Sequence, residues 1–169
     1  MQAGPAPSLL IVWHSMTGGT RQMAEAAADA AYAAEPGLDV RLLRAAEAGP
    51  GDVLGAAGYL FATPENLAAM AGAMKDFFDR CYYPVLGRIE GRPYATMVCA
   101  GSDGTNAVRQ IARIATGWRL REVAAPVIIG TRAQTPEAIL APKAIPPGEL
   151  ARCEELGAAM AAGLALGIF

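Results

Sequence analysis

The sequence predicts an α/β fold, a doubly wound five-stranded parallel sheet with helices on both faces. Five short apolar runs, each bounded by turn residues, alternate with stretches that carry a helical pattern. Runs such as LLIVW, GYLFA and ATMVCA are apolar at consecutive positions, as expected for parallel strands covered on both faces. Pro126 lies inside the fifth run and predicts an edge strand, because proline cannot donate a ladder hydrogen bond. An edge position for the last strand suits the strand order 2-1-3-4-5.

Each strand and helix is placed by its own pattern. The strands are expected at Leu9–Trp13, Leu38–Leu43, Gly58–Ala62, Tyr94–Ala100 and Val123–Ile129. Composition and apolar spacing predict helices over Thr20–Ala34 and Gly104–Thr116. The clearest helical pattern runs from about Asn66 to Tyr82, with an apolar stripe formed by Leu67, Met70, Met74, Phe77, Phe78 and Cys81. A last helix is expected from about Pro147 to Leu164.

The chain is expected to form one domain over residues 1–169. Residues 130–149 are rich in proline and are expected to be a mostly irregular connection before the last helix. Connections of this length are usually a functional loop, a lid or an oligomer arm.

Composition excludes several classes of partner. The formal net charge is only -2 and no run of like charges occurs, so neither nucleic acid nor an anionic membrane surface is expected to bind. Cys81, Cys99 and Cys153 form no CxxC pair, which argues against a disulfide framework or a zinc site and favours a reducing, cytoplasmic setting. The apolar C-terminal stretch is too short to span a bilayer, for which about 20 residues are needed. Hydrophobic residues make up 53% of the chain, so a homo-oligomer is expected.

HSMTGGT, residues 14–20, joins the first strand to the first helix. Gly18 and Gly19 allow a tight turn and a close approach to a ligand, and the helix start offers unpaired N–H groups to a phosphate. The competing interpretation is a helix cap with a glycine turn, since serine and threonine cap helices routinely. The chain lacks GxxxxGK[ST] and, after this strand, GxGxxG, so neither a nucleoside triphosphatase loop nor a dinucleotide fingerprint is present.

Two more polar loops are expected beside this one. The third strand ends in ATPENL, residues 62–67, and the fourth ends in CAGSDGTN, residues 99–106. In the order 2-1-3-4-5 the first, third and fourth strands are neighbours, so these loops should converge at one edge of the sheet. A phosphate on the first loop and a planar ring on the other two would fit such a site.

These motifs resemble those of the flavodoxin-like superfamily, in particular its NAD(P)H-dependent FMN reductases and quinone oxidoreductases. HSMTGGT is similar to the family's phosphate loop, and ATPENLAAMAGAMKDFFDR is similar to its second-loop segment. The resemblance implies that the FMN phosphate is held by Ser15, Met16, Thr17, Gly18, Gly19 and Thr20. It implies that the isoalloxazine ring and ribityl chain lie against Thr63, Pro64, Glu65 and Asn66. It implies that the other side of the ring is flanked by Ala100, Gly101, Ser102, Asp103 and Gly104.

Three residues near these loops, His14, Asp103 and Glu65, have two possible interpretations each. His14 either forms local hydrogen bonds at the strand end or contacts the ligand, and Asp103 either closes an Asx turn or contacts the ring or ribityl chain. Glu65 is either a first-turn helix carboxylate or a ring contact through its backbone. Cys99 is expected to act as a small buried hydrophobe.

The departures from the family pattern indicate an enzyme. Carrier flavodoxins stack aromatic side chains on the ring and carry a strongly acidic surface, whereas TPENL and AGSDGT contain no aromatic residue. The resemblance therefore implies an oxidoreductase that passes hydride from NAD(P)H through FMN to a quinone, flavin or similar small acceptor, with no catalytic side chain identified. The alternatives are a flavodoxin-type electron carrier and an FMN-free interaction module.

Overall fold

The computed structural model describes residues 6–169. Its strands are β1 (Ser8–Trp13), β2 (Asp39–Arg44), β3 (Gly58–Asn66), β4 (Ala69–Met70), β5 (Pro93–Ala100), β6 (Arg121–Glu122) and β7 (Val127–Gly130). Its helices are α1 (Gly19–Ala34), α2 (Pro50–Gly55), α3 (Gly72–Val85), α4 (Thr105–Gly117), α5 (Pro136–Leu140) and α6 (Pro147–Leu166). None of these helices is both long enough and apolar enough to cross a membrane.

The sheet confirms the predicted topology. The main strand path is β2-β1-β3-β5-β6, and these strands pair in parallel. β7 also pairs in parallel with β5, further along the same edge. The carboxyl ends of β1, β3 and β5 therefore lie side by side, which is the arrangement that brings the three polar loops together.

A core fills each face of the sheet. On one face β3 packs against α3 and α4, where the Phe78 ring lies 5.1 Å from that of Phe61 and 5.5 Å from that of Trp118. On the other face the sheet is covered by α1 and α6. These two helices approach so closely that a side chain at Gly157 would overlap the backbone of Ala27. The strands are thus buried from both sides, as their continuous apolar sequences require.

The segment from Thr63 to Ala71 corrects the predicted elements. The third strand continues to Asn66, where a loop was expected, and turns into the short antiparallel strand β4. The predicted helix start at Asn66 is wrong, because α3 begins at Gly72. Leu67 is fully exposed at the turn and does not belong to the apolar stripe. The other stripe residues are buried as predicted: Met70, Met74, Phe77, Phe78 and Cys81.

The predicted fifth strand is also divided. β6 and β7 are separate, and Pro126 lies in the interruption between them. Both pieces pair only with β5 along the main sheet, so the expected edge position is correct. The connection that follows contains the five-residue helix α5 before α6 begins at Pro147. Helix α2 was not predicted from the sequence.

Candidate functional site

A cleft of about 520 Å³ opens at the carboxyl edge of the sheet. Eleven predicted site residues line it: Ser15, Met16, Thr17, Gly19, Thr20, Pro64, Glu65, Asn66, Ala100, Gly101 and Ser102. Four predicted residues do not line it: Gly18, Thr63, Asp103 and Gly104. Eight lining residues were not predicted: Leu67, Ala68, Cys99, Thr131, Ala133, Gln134, Ile139 and Lys143.

The loop after β1 forms a cradle at the start of α1. Gly18 sits at the N-cap with φ 94°, a left-handed conformation that glycine adopts without strain, and donates its N–H to Ser15 Oγ at 3.0 Å. A Cβ at Gly19 would lie 2.7 Å from Cys99 Sγ, so a side chain there would force the cradle to shift. Thr20 is 1% exposed, and its Oγ1 has no hydrogen-bond partner. Because buried hydroxyls are almost always bonded, this unpaired hydroxyl marks the start of α1 as a candidate ligand-binding position.

The second wall is the hairpin of β3 and β4. Leu67 and Ala68 form its two-residue turn with φ of 51° and 63°, the positive values that a type I′ turn requires. Neither residue is a glycine, so the turn holds backbone strain at the edge of the cleft. Glu65 lies in the strand, so the first-turn helix interpretation is wrong. Its Oε2 is buried without a hydrogen-bond partner.

Thr63 supports this hairpin from behind. Its hydroxyl donates to Pro64 O at 2.9 Å and accepts the Ala71 N–H at 3.1 Å. On the neighbouring helix, Gln110 Oε1 accepts the Met70 N–H at 2.8 Å. Thr63 therefore holds the wall in position and does not face the cleft.

The third wall follows β5. A Cβ at Gly101 would lie 2.9 Å from the Ala133 carbonyl oxygen, so glycine allows residues 131–134 to approach the sheet edge. Asp103 is exposed, and its Oδ1 accepts both the N–H and the hydroxyl of Thr105, at 3.3 and 2.8 Å. The Asx-turn interpretation of Asp103 is thus supported at the start of α4. Gly104 is buried with φ 89° behind the wall.

Residues 131–143 form a fourth wall that sequence reasoning missed. The Thr131 N–H donates to Ala100 O at 2.8 Å, and the Lys143 N–H donates to Thr17 O at 2.9 Å. Gln22 ties the segment to α1, because its Nε2 donates to Lys143 O at 2.7 Å and its Oε1 accepts the Ile145 N–H at 2.9 Å. The length of the irregular connection was the only sequence signal for this wall.

The charges around the cleft are few. Within the described part of the chain, Lys143 is the one cation that lines the cleft, and its Nζ donates to the carbonyls of Ala138, Ile139 and Ala141. Burial raises the pKa of the Cys99 thiol, against the opposing effect of Lys143, so this thiol is protonated at neutral pH. Burial lowers the pKa of His14, which lies outside the lining and donates its backbone N–H to Ala62 O at 3.1 Å.

Two residues that line the cleft each carry an unsatisfied polar atom. Among residues 6–169, the buried side-chain nitrogen and oxygen atoms without a hydrogen-bond partner are Thr20 Oγ1 and Glu65 Oε2, and both residues line this cleft. The hydroxyl can donate to an anion at the helix start, and the carboxyl oxygen can accept from an N–H of a ligand. The arrangement suits an elongated ligand with an anionic end and a polar ring.

Comparison with known proteins also indicates FMN-binding relatives. Residues 51–134, about half of the chain, match the family model described as NADPH-dependent FMN reductase. A flavodoxin from Aquifex aeolicus (strain VF5) is 34% identical over 96 residues, which cover 57% of this chain and 51% of that protein. Both matches are to flavodoxin-like proteins. The match to the Aquifex flavodoxin thus spans about half of that relative's length.

Solved structures of flavodoxin-like proteins share the fold. A flavodoxin from the domain Archaea superposes with a TM-score of 0.73 and 17% identity, over 93% of this chain and 98% of the other. A WrbA-like flavodoxin from Agrobacterium tumefaciens gives a TM-score of 0.73 and 16% identity, over 95% and 99% of the two chains. At these identities the likeness establishes the fold of this flavodoxin-like protein, and the family match and the flavodoxin relative support FMN binding.

Proposed function

We propose that this protein is an FMN-dependent oxidoreductase that transfers hydride from NAD(P)H, by way of FMN, to a quinone or a similar small acceptor. The observation that carries the proposal is the pair of buried, unpartnered polar atoms, Thr20 Oγ1 and Glu65 Oε2, in one cleft. Both fit FMN, which has a phosphate at one end and an imide N–H on its ring. FMN supplies reversible two-electron chemistry, and the protein supplies binding, orientation and electrostatics.

The residues around Thr20 fit the phosphate. The backbone N–H groups at the start of α1 carry the positive end of the helix dipole, and the Ser15, Thr17 and Thr20 side chains add hydroxyls. Ser15 already accepts the Gly18 N–H, so its own proton is free to donate outward. Gly18 shapes this loop by its left-handed φ and does not itself line the cleft.

The residues on the hairpin and after β5 fit the ring. Glu65 Oε2 would accept from the ring imide, while Pro64 and Gly101 also line this part of the cleft. Thr63 would act through its hydrogen bonds to the hairpin, and Asp103 and Gly104 through the start of α4, without contact to the ligand. The proposed cofactor-binding role is therefore direct for eleven of the predicted residues and indirect for the other four.

The rim of the cleft favours an enzyme. Met16, Leu67 and Ile139 line it with 56%, 101% and 44% of their surface exposed, and no aromatic residue among residues 6–169 lines it. One face of a bound ring would therefore stay accessible across an apolar rim, so that a second flat molecule, such as a nicotinamide or a quinone, could lie against it. A flavodoxin-type electron carrier is the second candidate, favoured by the identity to the Aquifex aeolicus flavodoxin.

Initial rates test the enzymatic proposal directly. NADH or NADPH oxidation is measured at several fixed concentrations of 1,4-benzoquinone, with the protein saturated with FMN. We expect parallel double-reciprocal plots, since one substrate must leave before the other occupies the same face. An FMN-loaded protein that oxidises neither nucleotide would support the carrier and refute the enzyme.

Two glycine-to-alanine variants distinguish an effect on the cleft from a general effect on the fold. Gly19→Ala places a Cβ 2.7 Å from Cys99 Sγ inside the cradle, whereas Gly72→Ala at the start of α3 meets no atom within 4 Å. We expect Gly19→Ala to lose FMN binding and activity together, and Gly72→Ala to keep both. Equal FMN affinity in the two variants would contradict the assignment of the cradle.

A further inference from the structure

A second groove, of about 460 Å³, is lined by residues of β4, α3 and α4. It is lined by Ala69, Met70, Lys75, Tyr82, Gln110, Arg113 and Ile114, none of which lines the cleft. Ala69 and Met70 pair across the hairpin with Asn66 and Glu65, which do line it. The two cavities are therefore distinct sites that share one wall.

The polar groups of the groove are hydrogen-bond donors. Gln110 Oε1 accepts the Met70 N–H at 2.8 Å, which leaves its amide NH₂ as the group available to a ligand. Lys75 and Arg113 add two cations, and Tyr82 adds a phenol. No carboxylate of the described residues lines the groove, although Asp79 Oδ1 lies 2.6 Å from Lys75 Nζ and partly neutralises it. Within residues 6–169 Arg113 forms no ion pair, so it is the dominant uncompensated charge of the groove.

The remaining surface is apolar and held in place. The Tyr82 ring stacks on the buried Trp118 at 5.8 Å and 16°, and a side chain at Gly117 would collide with the Tyr82 hydroxyl. Ile114 and Met70 add aliphatic surface to the same groove. A fixed aromatic ring beside aliphatic side chains suits a flat apolar body, because such surfaces gain from stacking and burial.

We propose that this groove binds a small organic anion, a carboxylate carried on a flat apolar body. The carboxylate pairs with the Arg113 guanidinium, whose planar donors match its two oxygens, and accepts from the Gln110 amide. The body lies against Tyr82 and Ile114. This site is independent of the redox function and of the cleft at the sheet edge.

The probe is 2-naphthoate, and its neutral amide 2-naphthamide is the matched control ligand. Each is titrated into ¹⁵N-labelled protein with excess FMN present, and backbone amide shifts are followed by NMR. We expect 2-naphthoate to shift the amides around Met70, Gln110 and Arg113 in a saturable way, with 2-naphthamide binding at least about tenfold more weakly. Equal binding of the two ligands would overturn the proposal, because the groove would then be only apolar.

Two arginine variants localise the effect. Arg113→Gln removes the charge that lines the groove, and Arg109→Gln removes an exposed charge one turn away on α4 that does not line it. We expect Arg113→Gln to weaken 2-naphthoate binding about tenfold and Arg109→Gln to change it less than about twofold. Similar losses in both variants would reduce the effect to net charge and refute the site, as would unchanged affinity in Arg113→Gln. If 2-naphthoate bound in the cleft instead of the groove, Arg113→Gln would leave its affinity unchanged. If the groove amides shifted with protein concentration alone, a second copy of the chain would cover the groove, and the proposal would be overturned.

Discussion

Replacing Thr20 by valine should stabilise the cofactor-free protein and weaken FMN binding at the same time. Thr20 is 1% exposed and its hydroxyl has no partner among residues 6–169, so the free chain bears the cost of burying an unsatisfied polar group. Valine has nearly the same shape and no hydroxyl. The Thr20→Val variant therefore removes a cost from the free protein and a hydrogen bond from the complex.

The magnitudes follow from the two roles of this hydroxyl. An unsatisfied buried polar group costs about 1–3 kcal/mol, so we expect the cofactor-free variant to gain about 1 kcal/mol, or a Tm increase of about 2–4 °C for a chain of this size. A hydrogen bond to a charged group contributes about 1.5–3 kcal/mol, which corresponds to a Kd for FMN that is roughly 10- to 150-fold higher. Thermal unfolding without FMN and quenching of FMN fluorescence on titration measure the two quantities.

Thr63→Val is the matched control for stability. Thr63 is 0% exposed, but its hydroxyl accepts the N–H of the buried Ala71, so the same substitution there leaves that donor unpaired. We expect Thr63→Val to lower the stability of the cofactor-free protein by about 1–3 kcal/mol. A destabilised Thr20→Val variant with unchanged FMN affinity would refute the reasoning, because Thr20 would then have a structural partner and no ligand.

Three further predictions concern the walls and the pH response. Gln22→Ala should leave the Ile145 N–H unpaired and speed its hydrogen exchange, and unchanged exchange would contradict the clamp. Gly101→Ala places a Cβ 2.9 Å from Ala133 O, so FMN affinity should fall as the fourth wall shifts, and an unaltered Kd would show that this wall does not bear on the ligand. Burial raises the pKa of Cys153 to about 12, so stability should be full below pH 9, where the unfolded thiol titrates, and should fall as pH rises towards 12. Cys153→Ala should flatten this loss in urea unfolding at different pH values, and an equally steep loss would exclude Cys153 as its cause.

The sequence predicted the sheet because its strands are buried on both faces. Continuous apolar runs are visible without tertiary information, and Pro126 marks the edge strand. The polar turn of residues 14–20 was also predicted between the first strand and the first helix, and it lies there in the structure. Both features depend on local chemistry, whereas phosphate binding by this turn stays a prediction.

The hairpin was missed because its turn carries no turn signal. Leu67 and Ala68 adopt positive φ, a conformation that sequence rules assign to glycine or asparagine, and the apolar spacing continued through them. The fourth wall was missed for another reason. Lys143 and Thr131 reach the cleft through backbone hydrogen bonds to Thr17 and Ala100, which no side-chain pattern encodes. Both features depend on tertiary contacts that outweigh local preference.

An anaerobic titration of the FMN-loaded protein tests the central claim most directly. One equivalent of NADH or NADPH is added while the visible flavin absorbance is recorded, followed by one equivalent of 1,4-benzoquinone. An NAD(P)H-dependent oxidoreductase predicts that the nucleotide bleaches the absorbance and that the quinone restores it. Absorbance that ignores both nucleotides and falls only with dithionite would contradict the account, and a protein that binds no FMN at all would contradict it at the first step.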